Sequence, residues 1–259
     1  MSTTSTATLT FTYGDSRTDL LKKKSCDLLD ARFRRNFGAS YFVFHNSPQE
    51  YIDRVVRYCL PPQGGELISV AGSYTKCFEE VLLRMKSAGI ERIVFLQDDV
   101  FSLQKCHEYY DGLAKFLMET DIAMINLEYG CSHFSGLNII ESHNQFNAYG
   151  ARATDFSKTL WGMDDGPYCA NLDFLLTTVY SARYFSAGDI WTAEEILRDE
   201  CVEKNILRCV LDRPSFRRVN IVGPNSQNKE SEELFLRDNF DFSVLNTRQT
   251  VASPPAIHC

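Results

Sequence analysis

The chain has 259 residues, enough for one large α/β domain or two small ones. Hydrophobic residues make up 44 % and aromatics 12 %, which supports a packed core and argues against extensive disorder. A formal net charge of -7 sets aside a nucleic-acid partner, because phosphate backbones are gripped by a concentrated basic face.

Residues 1–9 read as a flexible N-terminus, and "ATLTFTYG" (7–14), alternating and β-rich, reads as the first strand. It runs into "DSRTDLLKKKSCDLL", where Asp15 or Ser16 can cap a helix and Leu20, Leu21, Cys26, Leu28 and Leu29 supply its buried stripe. The basic run "LLKKKSCDLLDARFRR", broken by Asp27 and Asp30, reads as the exposed side of that helix. "SYFVFHNS" (40–47) is a second strand, and Pro48 opens the helix "QEYIDRVVRYCL". After the break "PPQGGE" come the strand "LISVAGS" (67–73), the helix "YTKCFEEVLLRMKSAG" ending on Gly89, and the strand "ERIVFLQ".

Strands alternating with helices over this stretch predict a parallel, doubly wound sheet. Ligands of such sheets bind beyond the carboxyl ends of the strands. Four segments end at that edge, "TYGDSR", "FHNS", "VAGSYTK" and "FLQDDV", each with polar residues where the strand stops.

The second half is less regular. "FSLQKCHEYYDGLAKFLMET" reads as a helix and "DIAMINLEYG" (121–130) as a strand. "CSHFSGLNIIESHNQFNAYGARATD" shows no clear period, and "YCANLDFLLTTVYSARYF" (168–185) reads as strand and turn. "DIWTAEEILRDECVEKNILRCVL" is a helix with Thr192 as cap and Glu195 in capping-box position. "SFRRVNIVGPNS" gives a late strand, and residues 243–259 read as a flexible C-terminal tail.

Nine cysteines, an odd number without a Cys-x-x-Cys pair, suit a reducing compartment. There is no signal-peptide pattern and no run approaching the ~20 apolar residues of a membrane span. A soluble, cytoplasmic protein is expected. Cys131, His133 and His143 fit no structural zinc spacing and read as core or surface residues.

The chemistry concentrates at "RIVFLQDDVFS" (92–102), where Asp98 and Asp99 follow a buried strand. Two adjacent carboxylates repel unless a cation or solvent separates their charge. A divalent ion bound through one or two carboxylates plus substrate phosphates resolves this. The plainer alternative is that Asp98 or Asp99 caps the helix that follows.

The segment "VAGSYTKCFEEVLLRMKSAGIERIVFLQDDV" resembles the nucleotide-sugar-dependent glycosyltransferases of the GT-A fold, family-2-like, whose Asp-x-Asp motif closes a strand reached through a helix. The resemblance implies an α/β fold, a doubly wound and mostly parallel central sheet flanked by helices, with a smaller acceptor-side β region. It divides one domain into a nucleotide-sugar-binding half (10–130) and an acceptor-binding half (131–242). It implies transfer of a sugar from a UDP- or GDP-sugar to a hydroxyl acceptor on a glycan, with inversion. Asp99, with Asp98, matches the ligand for Mn²⁺ or Mg²⁺. Gln97 stands where the motif's first Asp would be and leaves the metal requirement open.

Together with the resemblance, the other edge residues take roles. Tyr13 could stack on the base and Asp15 could accept from base or ribose. Arg17 could reach the diphosphate as a bidentate donor. Asn46 sits where the family's second strand meets the base, and Ser73 and Lys76 face ribose or phosphate. Gln97 and Asp98 touch ribose or a bridging water. Glu195, with Glu194 as alternate, matches the general base that deprotonates the acceptor. Asp164 and Asp165 form a second acidic pair on a loop, an acceptor-side lid, with Trp161 and Tyr168 placed to stack on a sugar face. The family's late His is missing after "RRVNIVG", leaving only Asn225 or Ser226 for its place.

Two rivals stay open. A sugar-nucleotide pyrophosphorylase expects a Gly-rich N-terminal phosphate loop, whereas "TYGDSRTD" has one glycine. A non-catalytic binding module of the same fold is compatible with Gln97 and the missing His.

Overall fold

The computed structural model describes residues 5–13, 27–58, 65–134, 136–152, 166–219 and 229–239. The first strand, β1 (Thr6–Tyr13), is buried on both faces. Ala7, Leu9 and Phe11 enter one hydrophobic layer, while Thr6, Thr8, Thr10 and Thr12 line the other side. Burial on both faces is the mark of a central parallel strand. It corrects the expectation of a flexible 1–9, since residues 6–9 are core.

Helix α1 (Leu28–Arg34) is capped by Asp27, whose carboxylate accepts from Leu29 N and Asp30 N. Asp27, Asp30 and Arg34 are all buried, so this part of the basic run is not the exposed helix side it was expected to be. The chain continues through β2 (Ala39–His45), α2 (Gln49–Tyr58), β3 (Glu66–Val70), α3 (Tyr74–Ser87) and β4 (Arg92–Gln97). Helix α3 stops in a Schellman turn. Gly89 adopts φ +79, Gly89 N donates to Lys86 O at 3.0 Å, and Ile90 N donates to Met85 O at 3.1 Å.

Past β4, Asp98 and Asp99 form a two-residue turn into β5 (Val100–Ser102). The next helix, α4 (His107–Glu119), starts well downstream. Phe101 and Ser102 were expected to begin that helix but are strand, and neither aspartate caps a helix. Then follow β6 (Met124–Gly130) and a hairpin of β7 (Asn138–His143) and β8 (Phe146–Arg152). Asn144 (φ 46) and Gln145 (φ 66) turn the hairpin, as left-handed residues do in tight hairpins.

Residues 168–185 were expected as strand and turn. Only β9 (Tyr168–Asn171) is strand; it leads into α5 (Leu172–Phe174), a π-helical turn (Leu175–Val179) and α6 (Ala182–Phe185). The helix expected over 189–211 is α7 (Ile190–Glu203) followed by β10 (Leu207–Leu211). Its cap is Asp189, which accepts from Thr192 N at 2.9 Å. That corrects the Thr192–Glu195 capping box, because the helix begins before Thr192. The chain closes with β11 (Phe216–Arg218), which pairs antiparallel with β5, and α8 (Lys229–Asn239). Residues 240–259, including the expected tail, lie outside the described residues.

The main sheet has nine strands among the described residues, in the order β3-β2-β1-β4-β9-β6-β10-β8-β7. Seven run in one direction; β8 and β9 oppose them. One layer of core lies between the sheet and α3, α6 and α7, and the other packs α1 and α4 against the opposite face. Among the described residues no helix is long and apolar enough to cross a membrane.

Candidate functional site

Strands β1 to β4 are parallel, and β2 and β3 lie on one side of β1 while β4 lies on the other. The connections therefore leave β1 and β4 in opposite directions, which opens a crevice at their carboxyl ends. The register pairs Phe11 with Gln97, so the end of β1 at Tyr13 runs beside the Asp98–Asp99 turn.

The turn is a buried one. Gln97 is 2 % exposed, Asp98 0 % and Asp99 4 %. Burying adjacent carboxylates is costly unless partners compensate their charge, so their presence at this crevice is a chemical signal rather than a solvated strand end. Two backbone ties hold the turn: Val219 N donates to Asp99 O at 2.9 Å, and Ser102 N donates to Asp27 Oδ2 at 2.8 Å.

The first tie brings Arg218, one residue before Val219, to the carboxylate turn. Its Nη2 donates to Glu128 Oε2 on β6 at 3.1 Å, so a partly buried ion pair stands on the strand whose backbone is tied to Asp99. Neither residue was expected. The readable signal was the pair in "SFRRV": strand alternation sends Arg217 to Glu232 on α8 and Arg218 the opposite way to Glu128.

Asn46 and Ser73 end up near each other at the edge, in structural positions. Asn46 is left-handed (φ 49), accepts from Gly72 N at 2.9 Å and donates to Gly72 O at 3.0 Å. Its amide thus latches the β2 and β3 ends together. Ser73 is the N-cap residue of α3 without a side-chain cap bond. Lys76 is exposed, with its ammonium 3.5 Å from Glu79.

On the acceptor side Tyr168 is corrected. It is 1 % exposed, stacks on Phe95 with ring centroids 5.1 Å apart, and shares a 3.3 Å hydroxyl contact with Tyr180, so no sugar face can reach it. Glu194 and Glu195 separate in kind. Glu195 is exposed, whereas Glu194 is half-buried and lines a narrow hollow with Tyr74, Phe95, Tyr180 and Tyr184. Asp15, Arg17, Trp161, Asp164, Asp165, Asn225 and Ser226 lie outside the described residues. Cys131 donates to Asp212 O at 3.2 Å, and His143 pairs with Glu119, apart from one another.

Among the described residues no group of three or more His, Cys, Asp and Glu gathers into a metal cage. Mn²⁺ or Mg²⁺ held against substrate phosphates needs only one or two protein carboxylates. The adjacent oxygen donors of Asp98 and Asp99 fit that smaller requirement.

No protein-family model matches the chain, and no curated protein matches it in sequence. Among solved structures it is similar to S. aureus TarS 1–349 in complex with UDP-GlcNAc, at 12 % identity over 94 % of this chain and 70 % of that one (TM-score 0.49). It is similar also to a UDP-glucose pyrophosphorylase complexed with UDP-glucose, at 10 % identity over 90 % and 99 % of the two chains (TM-score 0.48). A third is mannose-1-phosphate geranyltransferase from Thermus thermophilus, at 12 % identity over 82 % and 75 % (TM-score 0.43).

Proposed function

We propose that this chain is a nucleotide-sugar-dependent glycosyltransferase that moves a sugar from a UDP- or GDP-sugar to a hydroxyl acceptor, with inversion. The observation that carries the reading is the Asp98–Asp99 turn, buried at the carboxyl end of β4 beside the end of β1, where doubly wound sheets bind nucleotides. Arg218, tied to that turn through its neighbour Val219, supplies a fixed guanidinium suited to a diphosphate.

Asp99, with Asp98 beside it, would hold Mn²⁺ or Mg²⁺, which when bound neutralises charge on the departing diphosphate. The protein's own residues do the rest. Arg218 orients the diphosphate against the sheet edge through its planar fork of donors. Glu194, the half-buried member of its pair, takes the acceptor hydroxyl's proton as the oxygen attacks from the face opposite the leaving group. The free thiols of Cys77, Cys106, Cys131, Cys169, Cys201 and Cys209 support a reducing, cytoplasmic setting for this work.

A screen of UDP- and GDP-sugars for donor hydrolysis and transfer, with and without Mn²⁺, tests the reading. Turnover is expected with at least one donor, and Asp99→Asn is expected to lower it about a hundredfold, the equivalent of about 3 kcal/mol. An Asp99→Ala variant retaining full turnover of every donor that binds would overturn it. So would binding without any hydrolysis, the behaviour of a non-catalytic module.

A further inference from the structure

We propose that Asp27, outside the edge residues themselves, is a positioning residue for the carboxylate pair. One buried carboxylate clasps the start of α1 to β5 and thereby sets the turn that carries Asp98 and Asp99. The catalytic consequence rests on the function proposed above; the clasp itself does not.

A helix cap needs one side-chain oxygen. Asp27 Oδ1 does that work, accepting from Leu29 N and Asp30 N, both at 3.1 Å. Its second oxygen reaches across 75 residues of sequence to take Ser102 N at 2.8 Å. Ser102 belongs to a strand of three residues, whose ladder to β11 has only three pairs. A strand this short is poorly held by its ladder alone. The clasp fastens the far end of β5 together with Leu103 N, which donates to Ser215 O at 3.0 Å, while Val219 N fastens the near end through Asp99 O. Val100 and Phe101 lie between those two points, so the turn enters a strand held at both ends, and Asp99 is itself one of the held residues.

The neighbourhood shows that this oxygen is costly to keep. Asp27 is 3 % exposed and lies next to Asp30, 6 % exposed, so two carboxylates share a buried layer. Burial first, and then Asp30, push the Asp27 carboxyl above its usual range, against the hydrogen bonds from Ser102. A guanidinium answers only the second of these charges: Arg34 Nε donates to Asp30 Oδ2 at 2.7 Å, and its Nη1 donates to Thr10 Oγ1 of β1 at 2.9 Å. Its Cζ also sits 5.7 Å from the centroid of the Phe42 ring on β2. A serine at position 27 would cap α1 without an uncompensated charge. The additional function of the carboxylate is the reach to β5.

Asp27→Asn separates the two jobs. Its carbonyl oxygen still caps α1, but its NH₂ faces Ser102 N, a donor against a donor. Asp27→Ser, which caps without reaching β5, is the second variant should Asn fail to fold. Amide hydrogen exchange read at residues 98–102 is expected to quicken at least about tenfold in either variant, with α3 amides keeping wild-type protection. Unchanged protection at Ser102 overturns the clasp, whether or not the protein turns over any sugar. In the turnover assay, D27N is expected to lower kcat about tenfold with donor KM within about twofold. The same change in a D99N background is expected to add no further loss. Additive losses, or a raised KM with intact kcat, overturn the positioning role. A wild type that hydrolyses no nucleotide sugar overturns the proposed function instead, and the exchange result still decides the clasp.

Discussion

Replacing Asn46 by Ala separates a latch from a ligand contact. Asn46 exchanges two hydrogen bonds with the backbone of Gly72, at 2.9 and 3.0 Å, and its own φ is 49. The site is exposed, so the two bonds contribute about 0.5–1 kcal/mol each rather than the value of buried ones. Alanine in the left-handed region adds about 1 kcal/mol of backbone strain. The sum is about 2–3 kcal/mol, or a fall in Tm of about 4–12 °C for a chain of this size. Asn46→Gly keeps the backbone comfortable and loses only the bonds, so it is expected to cost about 1–2 kcal/mol. Denaturant unfolding of both variants beside wild type reads the difference. Equal stability of N46A and wild type, with nucleotide affinity lost, would refute the latch and favour a base contact at Asn46.

Three further outcomes are expected. Arg34→Met leaves Asp30 buried without its partner and is expected to cost about 3–5 kcal/mol by denaturant unfolding, whereas Arg32→Met, which breaks an exposed pair with Asp111, costs less than about 1 kcal/mol. Glu194→Gln is expected to lower transfer about 10²–10⁴-fold, and Glu195→Gln to leave it within about twofold; the reverse order removes Glu194 as the base. Burial pushes the Cys201 thiol up to about 12 and raises Cys169 and Cys77 as well. A raised pKa keeps the proton on at pH 8, so a thiol reagent is expected to label exposed Cys106 in the native protein and these three only after unfolding.

The parallel half was readable because its physics is local. β2 and β4 are short apolar runs buried on both faces, β1 is buried on both while alternating Thr with apolar residues, and β3 buries Ile68 and Val70; each ends in polar residues. The Asp98–Asp99 turn could be placed from that pattern. What escaped depends on partners distant in sequence. Phe101 and Ser102 resemble a helix start until β11 supplies their ladder, and Tyr168 resembles a sugar platform until Phe95 covers its face. Arg218 gains meaning only when Glu128, ninety residues away, is beside it. One miss was local: Asn205, at φ 48, ends α7 as Gly89 ends α3, with Ile206 N donating to Cys201 O at 3.0 Å. An Asn before "ILRCVL" marked the change from helix to strand.

The position of β9 bears on how the chain is made. β9 lies between β4 and β6 and pairs with both, although it is synthesised after β6 and the β7–β8 hairpin. Until Tyr168–Asn171 has left the ribosome, β4, with all six residues destined for burial, has an open hydrogen-bonding edge. Such edges are where nascent chains stick to one another or are bound by chaperones. A fragment cut after Gly130 would keep that edge permanently open, along with that of β6. The two halves meet through a strand, not a linker, so expressing either alone should yield aggregate rather than a working module.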